Sequence, residues 1–223
     1  MKIFPLITLF FPPSKLKNRL LNLFPNVYVD KSAYVGFSYI RAKKITIQAN
    51  AKIKHFVRIK GVQELLLKEK SYIGNFNSLY CNEALGDKGN FVLGEMSELV
   101  RQNALDLTND ITIGDNVVIG GFGSQFWTHG FDVYRNRIEG EIVIANNVYI
   151  GSSTIFNLGI TICDDVIVGA GSLVSRNIKQ TGFYAGSPIS KKADYCELSA
   201  SNRTSLKCEK FGRKFYVKEL GLE

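Results

Sequence analysis

Large apolar residues return every sixth position along much of the chain. From Ile142 to Ile178 the text reads IVIANNVYIGSSTIFNLGITICDDVIVGAGSLVSRNI, and the beat falls unbroken on Ile144, Ile150, Phe156, Ile162, Val168 and Val174. Between the beats stand smaller or β-branched residues: Val148, Thr154, Ile160, Val166 and Ser172. The same rhythm runs through Val29, Val35, Ile47, Ile53 and Ile59, with Arg41 interrupting it. After a slip it resumes at Leu67, Ile73 and Leu79, then at Leu93 and Leu99, then at Ile113 and Ile119. Glycine often follows the beat directly, as at Gly36, Gly74, Gly94, Gly114, Gly120, Gly151 and Gly169.

A helix would place apolar residues at i+3 and i+4, which this register does not supply. A six-residue beat predicts a short strand plus a turn per hexad, with one large side chain pointing inward and a smaller one filling the corner. Three hexads make a triangular coil of about 18 residues, and coils stack at about the 4.8 Å strand spacing. One coil cannot bury its inner face alone, so only a stack is stable. The expected fold is all-β, a parallel β-helix.

The pattern divides the chain. Residues 1–26 form an N-terminal basic and apolar extension, in which SKLKNRLLNLF (Ser14–Phe24) predicts a short helix capped by Ser14. Its apolar side would be Leu16, Leu20, Leu21, Leu23 and Phe24, and its basic side Lys15, Lys17 and Arg19. Residues 27–190 form the β-helix domain, and 191–223 an extension that caps the open end of the stack. Between Ile119 and Ile144 the rhythm fails, so residues 120–142 are expected to leave the stack as a loop. Such loops often hold function.

Composition adds direction. The net charge of +8 is uneven: residues 1–60 hold twelve Lys/Arg and one acidic residue, Asp30, while the rest of the chain is slightly acidic. A basic block suits an anionic membrane surface, an acidic glycan or a nucleotide-bearing ligand, or simply a solvated face. No nucleic-acid partner is expected. Cys81, Cys163, Cys196 and Cys208 form no C-x-x-C pair and read as idle thiols of a reducing compartment. The opening MKIFPLITLFFPPSK lacks a signal-type cleavage site and is too short to span a bilayer. A cytoplasmic protein is expected, with peripheral contact at the inner membrane face as a further reading of the same run.

With these hexads, the motifs IGDNVVIG, NNVYIGSSTI, VGAGSLVSRNI and the later AGSP make the chain resemble the hexapeptide-repeat acyltransferases. It is similar to galactoside and maltose acetyltransferases and to those of capsule or O-antigen polysaccharides, well over about 90–190 and loosely over 27–80. The resemblance implies a left-handed β-helix, a homotrimer, acetyl-CoA as donor substrate and no metal. Neither handedness nor trimer follows from the periodicity.

The resemblance also assigns residues. WTHGFD (Trp127–Asp132) matches the loop that bears the family's histidine, with Gly130 where proline often follows, so His129 is the expected general base. A sugar hydroxyl is a poor nucleophile near neutrality, and imidazole titrates near the working pH. Asp132, Glu139 and Glu141 are candidates to orient it. Asn103, Trp127 and Asp132 are candidates for binding the acceptor. On the donor side, Tyr149, Gly151, Ser152, Gly169 and Ala170 match positions along the pantetheine arm. Ser175, Arg176, Pro188 and Lys191 match those near the phosphates and adenine. Turn geometry alone would also explain Gly151, Gly169 and Pro188, and His55, inside a hexad, reads as structural.

The implied activity is an acetyl-CoA-dependent O-acetyltransferase acting on a sugar hydroxyl of a surface polysaccharide or its precursor. An N-acetyltransferase acting on an amino or nucleotide sugar, and a non-catalytic β-helix scaffold, remain open. A β-helix carbonic anhydrase would need three histidines on a metal, and the chain has two.

Overall fold

The computed structural model describes residues 3–81, 86 and 89–194, with the backbone of strands Ser205–Lys210 and Arg213–Val217. The chain winds as a three-sided solenoid, each turn laying a short strand on each face. The first face stacks eight parallel strands, from Tyr34–Val35 through Lys52–Ile53, Tyr72–Ile73, Glu98–Arg101, Val118–Phe122, Tyr149–Ile150 and Val166–Val168 to Gly182–Ala185. The second includes Ser78–Tyr80, Ala104–Asp106, Gln125–Phe126, Ile155–Phe156 and Leu173–Val174. The third includes Phe91–Leu93, Ile111–Ile113, Ile142–Ile144 and Thr161–Ile162. Two longer strands, Tyr39–Ile47 and Arg58–Leu67, run round a corner and join the second and third faces.

The six-residue beat is the inward column of each face. On the first face Ile53, Ile73, Leu99, Ile119, Ile150 and Val168 lie in register and fully buried. On the third, Leu67, Leu93, Ile113, Ile144 and Ile162 do the same. Backbones approach closely at the corners, which explains the glycine after the beat. A Cβ on Gly151 would fall 2.4 Å from the backbone nitrogen of Ala170. Asn116, Asn147 and Asp165 turn the corner before the first face in the left-handed region that Asn and Asp tolerate.

Where the beat faltered, the structure keeps it by local adjustment. Arg41 is outward and exposed because Ile40 takes the inward place, and a bulge between Arg41 and Ala42 restores the register. Leu105 and Phe126 fill the inward column of the second face, and the Phe126 and Phe156 rings stack at 4.4 Å. The extruded segment is therefore shorter than 120–142. Val118–Phe122 and Gln125–Phe126 belong to the stack, and the hairpin His129–Phe131 with Arg137–Glu139 leaves it.

At the N-terminus α1 (Phe4–Phe10) and α2 (Lys15–Leu21) lie against the first turns. Ser14 caps α2, its hydroxyl accepting from the Lys17 N–H. α2 buries only part of the expected leucine side: Leu21 is buried and Phe24 packs against the core, but Leu16 and Leu23 are exposed, and Lys17 and Asn18 are buried instead. The reason is polar. Lys17 Nζ donates to the carbonyls of Thr8 and Gly36, both at 2.9 Å, and Asn18 donates to those of Asp30 and Ala33. Asn22 both accepts from and donates to the Val29 backbone. These side chains satisfy backbone groups that an open solenoid end would leave unpaired. At the other end Ser190–Ala193 adds to the first face antiparallel, on Gly182–Ala185. The two strands of 205–217 form a hairpin; Cys196, and the side chain of Cys208, lie outside the described residues.

Candidate active site

His129 opens the extruded hairpin, where the chain leaves the second face. Asp106 ends the strand one rung below and lies at the same corner. Its carboxylate is 2 % exposed by residue and fully engaged. Oδ1 accepts from the Thr108 hydroxyl at 3.0 Å and from the Thr108 N–H at 3.3 Å. Oδ2 lies 2.5 Å from His129 Nδ1 and also accepts from the Thr128 N–H at 3.3 Å. A carboxylate accepts, so Nδ1 donates in this contact, and in the neutral imidazole the lone pair then lies on Nε2. The Thr128 hydroxyl donates to the Asp106 carbonyl at 2.8 Å and accepts from the Asn109 N–H. The strand end, the Thr108 turn and the base of the hairpin are thereby tied together. Phe131 meets the imidazole edge-on at 5.7 Å between centroids.

Asp106 is absent from the residues read from the sequence because the beat is followed from Leu99 to Ile113 without Leu105, which stands six residues after Leu99. That spacing puts Asp106 at the end of a second-face strand. The carboxylates expected to orient His129 are used elsewhere. Asp132 accepts from the Asn136 side chain and from the Asn136 and Tyr134 N–H groups, which hold its pKa low and build the hairpin turn. Glu139 pairs with Arg137 at 2.6 Å, and Glu141 is exposed. Asn103 also departs from expectation. It is 1 % exposed, its Oδ1 accepts from the Ser124 N–H, and its Nδ2 donates to Asn77 Oδ1. It locks a corner and has no face toward an acceptor. His55 is held between the Tyr34 hydroxyl and the Phe37 N–H.

Trp127 is partly exposed beside His129, its indole donating to Gln125 Oε1. The residues matched to a donor fall into separate groups. Tyr149, Gly151, Ser152, Gly169 and Ala170 line the corner between the first and second faces on two successive turns. Tyr149 is exposed, and the Ser152 side chain fills the space above Gly121. Ser175 and Arg176 lie at the other end of the second face, the His129 corner, two strands above it. Arg176 donates to the Ile189 carbonyl at 2.6 Å, Pro188 is exposed, and Lys191 pairs with Asp194 at 2.5 Å. Within one chain, the His129 dyad and the Tyr149–Ala170 group thus occupy different corners of the prism. Among the described residues no cluster of His, Cys, Asp and Glu is placed to hold a metal ion.

Comparison with known proteins places this geometry. No family model matches the chain. Galactoside O-acetyltransferase of Escherichia coli is 31% identical over 161 residues, covering 57% of this chain and 78% of that protein. The putative acetyltransferase YvoF of Bacillus subtilis is 26% identical, covering 61% and 74%. Among solved structures, the polysialic acid O-acetyltransferase OatWY superposes with a TM-score of 0.60 at 16% identity, covering 75% of this chain and 83% of that one. The polySia-specific acetyltransferase NeuO gives 0.53, also at 16%, covering 74% and 72%; at such identities the match shows the fold. With these curated relatives the chain is an acyltransferase, and it belongs to the hexapeptide-repeat acetyltransferase family.

Proposed function

We propose that the protein transfers an acetyl group from acetyl-CoA to a sugar hydroxyl, with His129 as general base. The observation that carries this reading is the 2.5 Å contact between His129 Nδ1 and the buried Asp106 carboxylate. It fixes the tautomer a base requires. Nε2 takes the hydroxyl proton as the sugar oxygen attacks the thioester carbonyl. Backbone N–H groups of a neighbouring turn stabilise the oxyanion. The C–S bond then breaks, and the imidazolium returns its proton to the departing thiolate, leaving a sugar ester and free CoA. Among the described residues no cysteine stands at the dyad, and the transfer proposed is direct. Tyr149, Gly151, Ser152, Gly169 and Ala170 hold the pantetheine arm, with Ser175, Arg176, Pro188 and Lys191 toward the phosphates and adenine.

Donor group and dyad lie on different corners, so the site forms between adjacent subunits of a trimer. The exposed Phe131, Val133, Tyr134 and Ile138 on the hairpin suit a subunit contact. Exposed Leu6, Phe10, Leu16 and Leu23 on the N-terminal cap, beside Lys15 and Arg19, suit peripheral contact with an anionic membrane surface in the cytoplasm.

Paired acceptors test the chemistry: glucose and galactose oligomers against the same sugars carrying an amine. Turnover confined to the hydroxyl set is expected. Preferential acetylation of the amine would replace this reading with N-acetyl transfer, and loss of CoA binding by calorimetry would remove the enzyme reading of the site.

A further inference from the structure

Below the dyad, the outer side of the second face carries two adjoining grooves. One, of about 360 Å³, is lined by Arg58, Lys60, Ser78, Tyr80 and Cys81. The other, of about 440 Å³, is lined by Leu9, Tyr39, Phe56, Val57, Arg58 and Lys60. Arg58 and Lys60 line both and are exposed. Among the described residues neither has an ion-pair partner. In-register pairing joins Lys60 to Tyr80 and Tyr80 to Asp106. Lys60 therefore lies two strand spacings, about 10 Å, below Asp106 on the same face, and Arg58 lies two residues back along the same strand, in the Ala104 column. Burial pushes the Tyr80 phenol pKa up, and the Asp106 charge adds to it, as fits a ring wedged between groove and dyad. Arg176, by contrast, follows a strand five rungs above Arg58, about 24 Å away.

We infer that this cationic groove is an acceptor subsite for an anionic saccharide, with Arg58 and Lys60 holding a carboxylate or phosphate one short oligosaccharide's reach from His129. This rests on the acetyltransferase reading above and supplies its substrate class. The guanidinium suits bidentate capture of an oxyanion. Tyr39, Phe56 and Tyr80 offer ring faces and edges for sugar carbons. Five rungs of separation set these cations apart from Arg176.

The test measures binding by calorimetry to the full chain carrying His129→Ala, which needs no turnover, and acetyl transfer in the wild type. The probes are tetragalacturonic acid, its neutral methyl ester, and glucose 1-phosphate. The acid should bind at least about tenfold tighter than the ester, at a charged-contact scale. Arg58→Gln with Lys60→Gln should abolish that preference with CoA affinity intact, and Arg58→Lys with Lys60→Arg should retain most of it. Glucose 1-phosphate competing as strongly as the acid would assign the groove to phosphorylated precursors; failure to compete would assign it to acidic sugars. Equal binding of acid and ester, an unchanged preference in the double Gln variant, or a tenfold loss of CoA affinity would overturn the inference. Binding that follows charge without any acetyl transfer would leave the groove standing and remove the acetylation reading. Transfer to hydroxyls indifferent to charge would do the reverse.

Discussion

A buried carboxylate is tolerated at Asp106 because its oxygens are occupied, Oδ1 by Thr108 and Oδ2 by His129 and Thr128. Leaving a buried charge unpaired would be costly. The same contacts decide what His129 can do. Replacing His129 by alanine should lower kcat by about two to four decades, the scale of losing a general base, with CoA affinity almost intact. Asp106→Asn is the finer test. Its amide would donate to Nδ1, move the imidazole proton to Nε2 and block proton uptake from the acceptor. The expected loss is again about two to four decades in kcat. A role that is only structural would lower the melting temperature and leave kcat of the folded fraction intact. Asp132→Asn should act on the hairpin turn and leave the pH profile of kcat unchanged.

Elements at the two ends of the stack meet the same demand by different means. The upper end adds an antiparallel strand at Ser190–Ala193. The lower end uses α2, whose Lys17, Asn18 and Asn22 saturate open backbone groups. Burial pulls the Lys17 pKa down to about 8. The folded state thus holds this proton less tightly than the unfolded chain. The penalty of burying the charge is full below about pH 8 and relieved as pH rises toward the ordinary lysine value. Thermal melts of wild type and Lys17→Met compared between pH 7.5 and 10.5 should show the wild type gaining relative to the variant. A flat difference would mean the ammonium is not desolvated. On the outer side of the cap, sedimentation with phosphatidylglycerol vesicles should pull down the protein at low salt, and phosphatidylcholine vesicles should not. Leu23→Asp with Phe10→Asp should weaken that binding; an unchanged yield would remove membrane contact from the reading.

At the scale of the molecule, the solenoid is a stiff rod whose corners carry chemistry at fixed heights. The dyad corner and the Tyr149–Ala170 corner do not meet within one chain, so the proposed acetyl transfer calls for a second copy. Light scattering should give a trimer mass. Val133→Lys with Tyr134→Lys, at positions 90 % and 83 % exposed, should shift the mass toward monomer and abolish acetyl transfer without lowering the melting of each prism. A fully active monomer would remove the intersubunit site.

Much of this was legible in the chain. Ile144 through Val174 were identifiable as core because each faces the same interior, and the selection for a large apolar side chain repeats with each strand. The failing rhythm marked the loop, and within it the resemblance of WTHGFD to the family's histidine loop marked His129. Leu105 and Phe126 were overlooked for a local reason. The first keeps the beat, six residues after Leu99, but sits between the small Ala104 and the charged Asp106, and the second lies seven residues past Ile119, off the beat. The leucine side of α2 is buried only in part, at Leu21 and Phe24, because a helix on an open strand edge is positioned by donors as well as by apolar area.

The sequence by itself determined the stack: repeated inward side chains can be buried only by one another, and that periodicity survives any choice of loop. Which polar groups meet was decided only in three dimensions. Asp106 and His129 are 23 positions apart, and they touch because the intervening turn returns the chain one strand spacing higher at the same corner. The alignment of Lys60 with Tyr80 and Asp106 has the same origin. Register between rungs depends on how much chain each corner ejects, and backbone hydrogen bonding sets that register without leaving a mark in residue type.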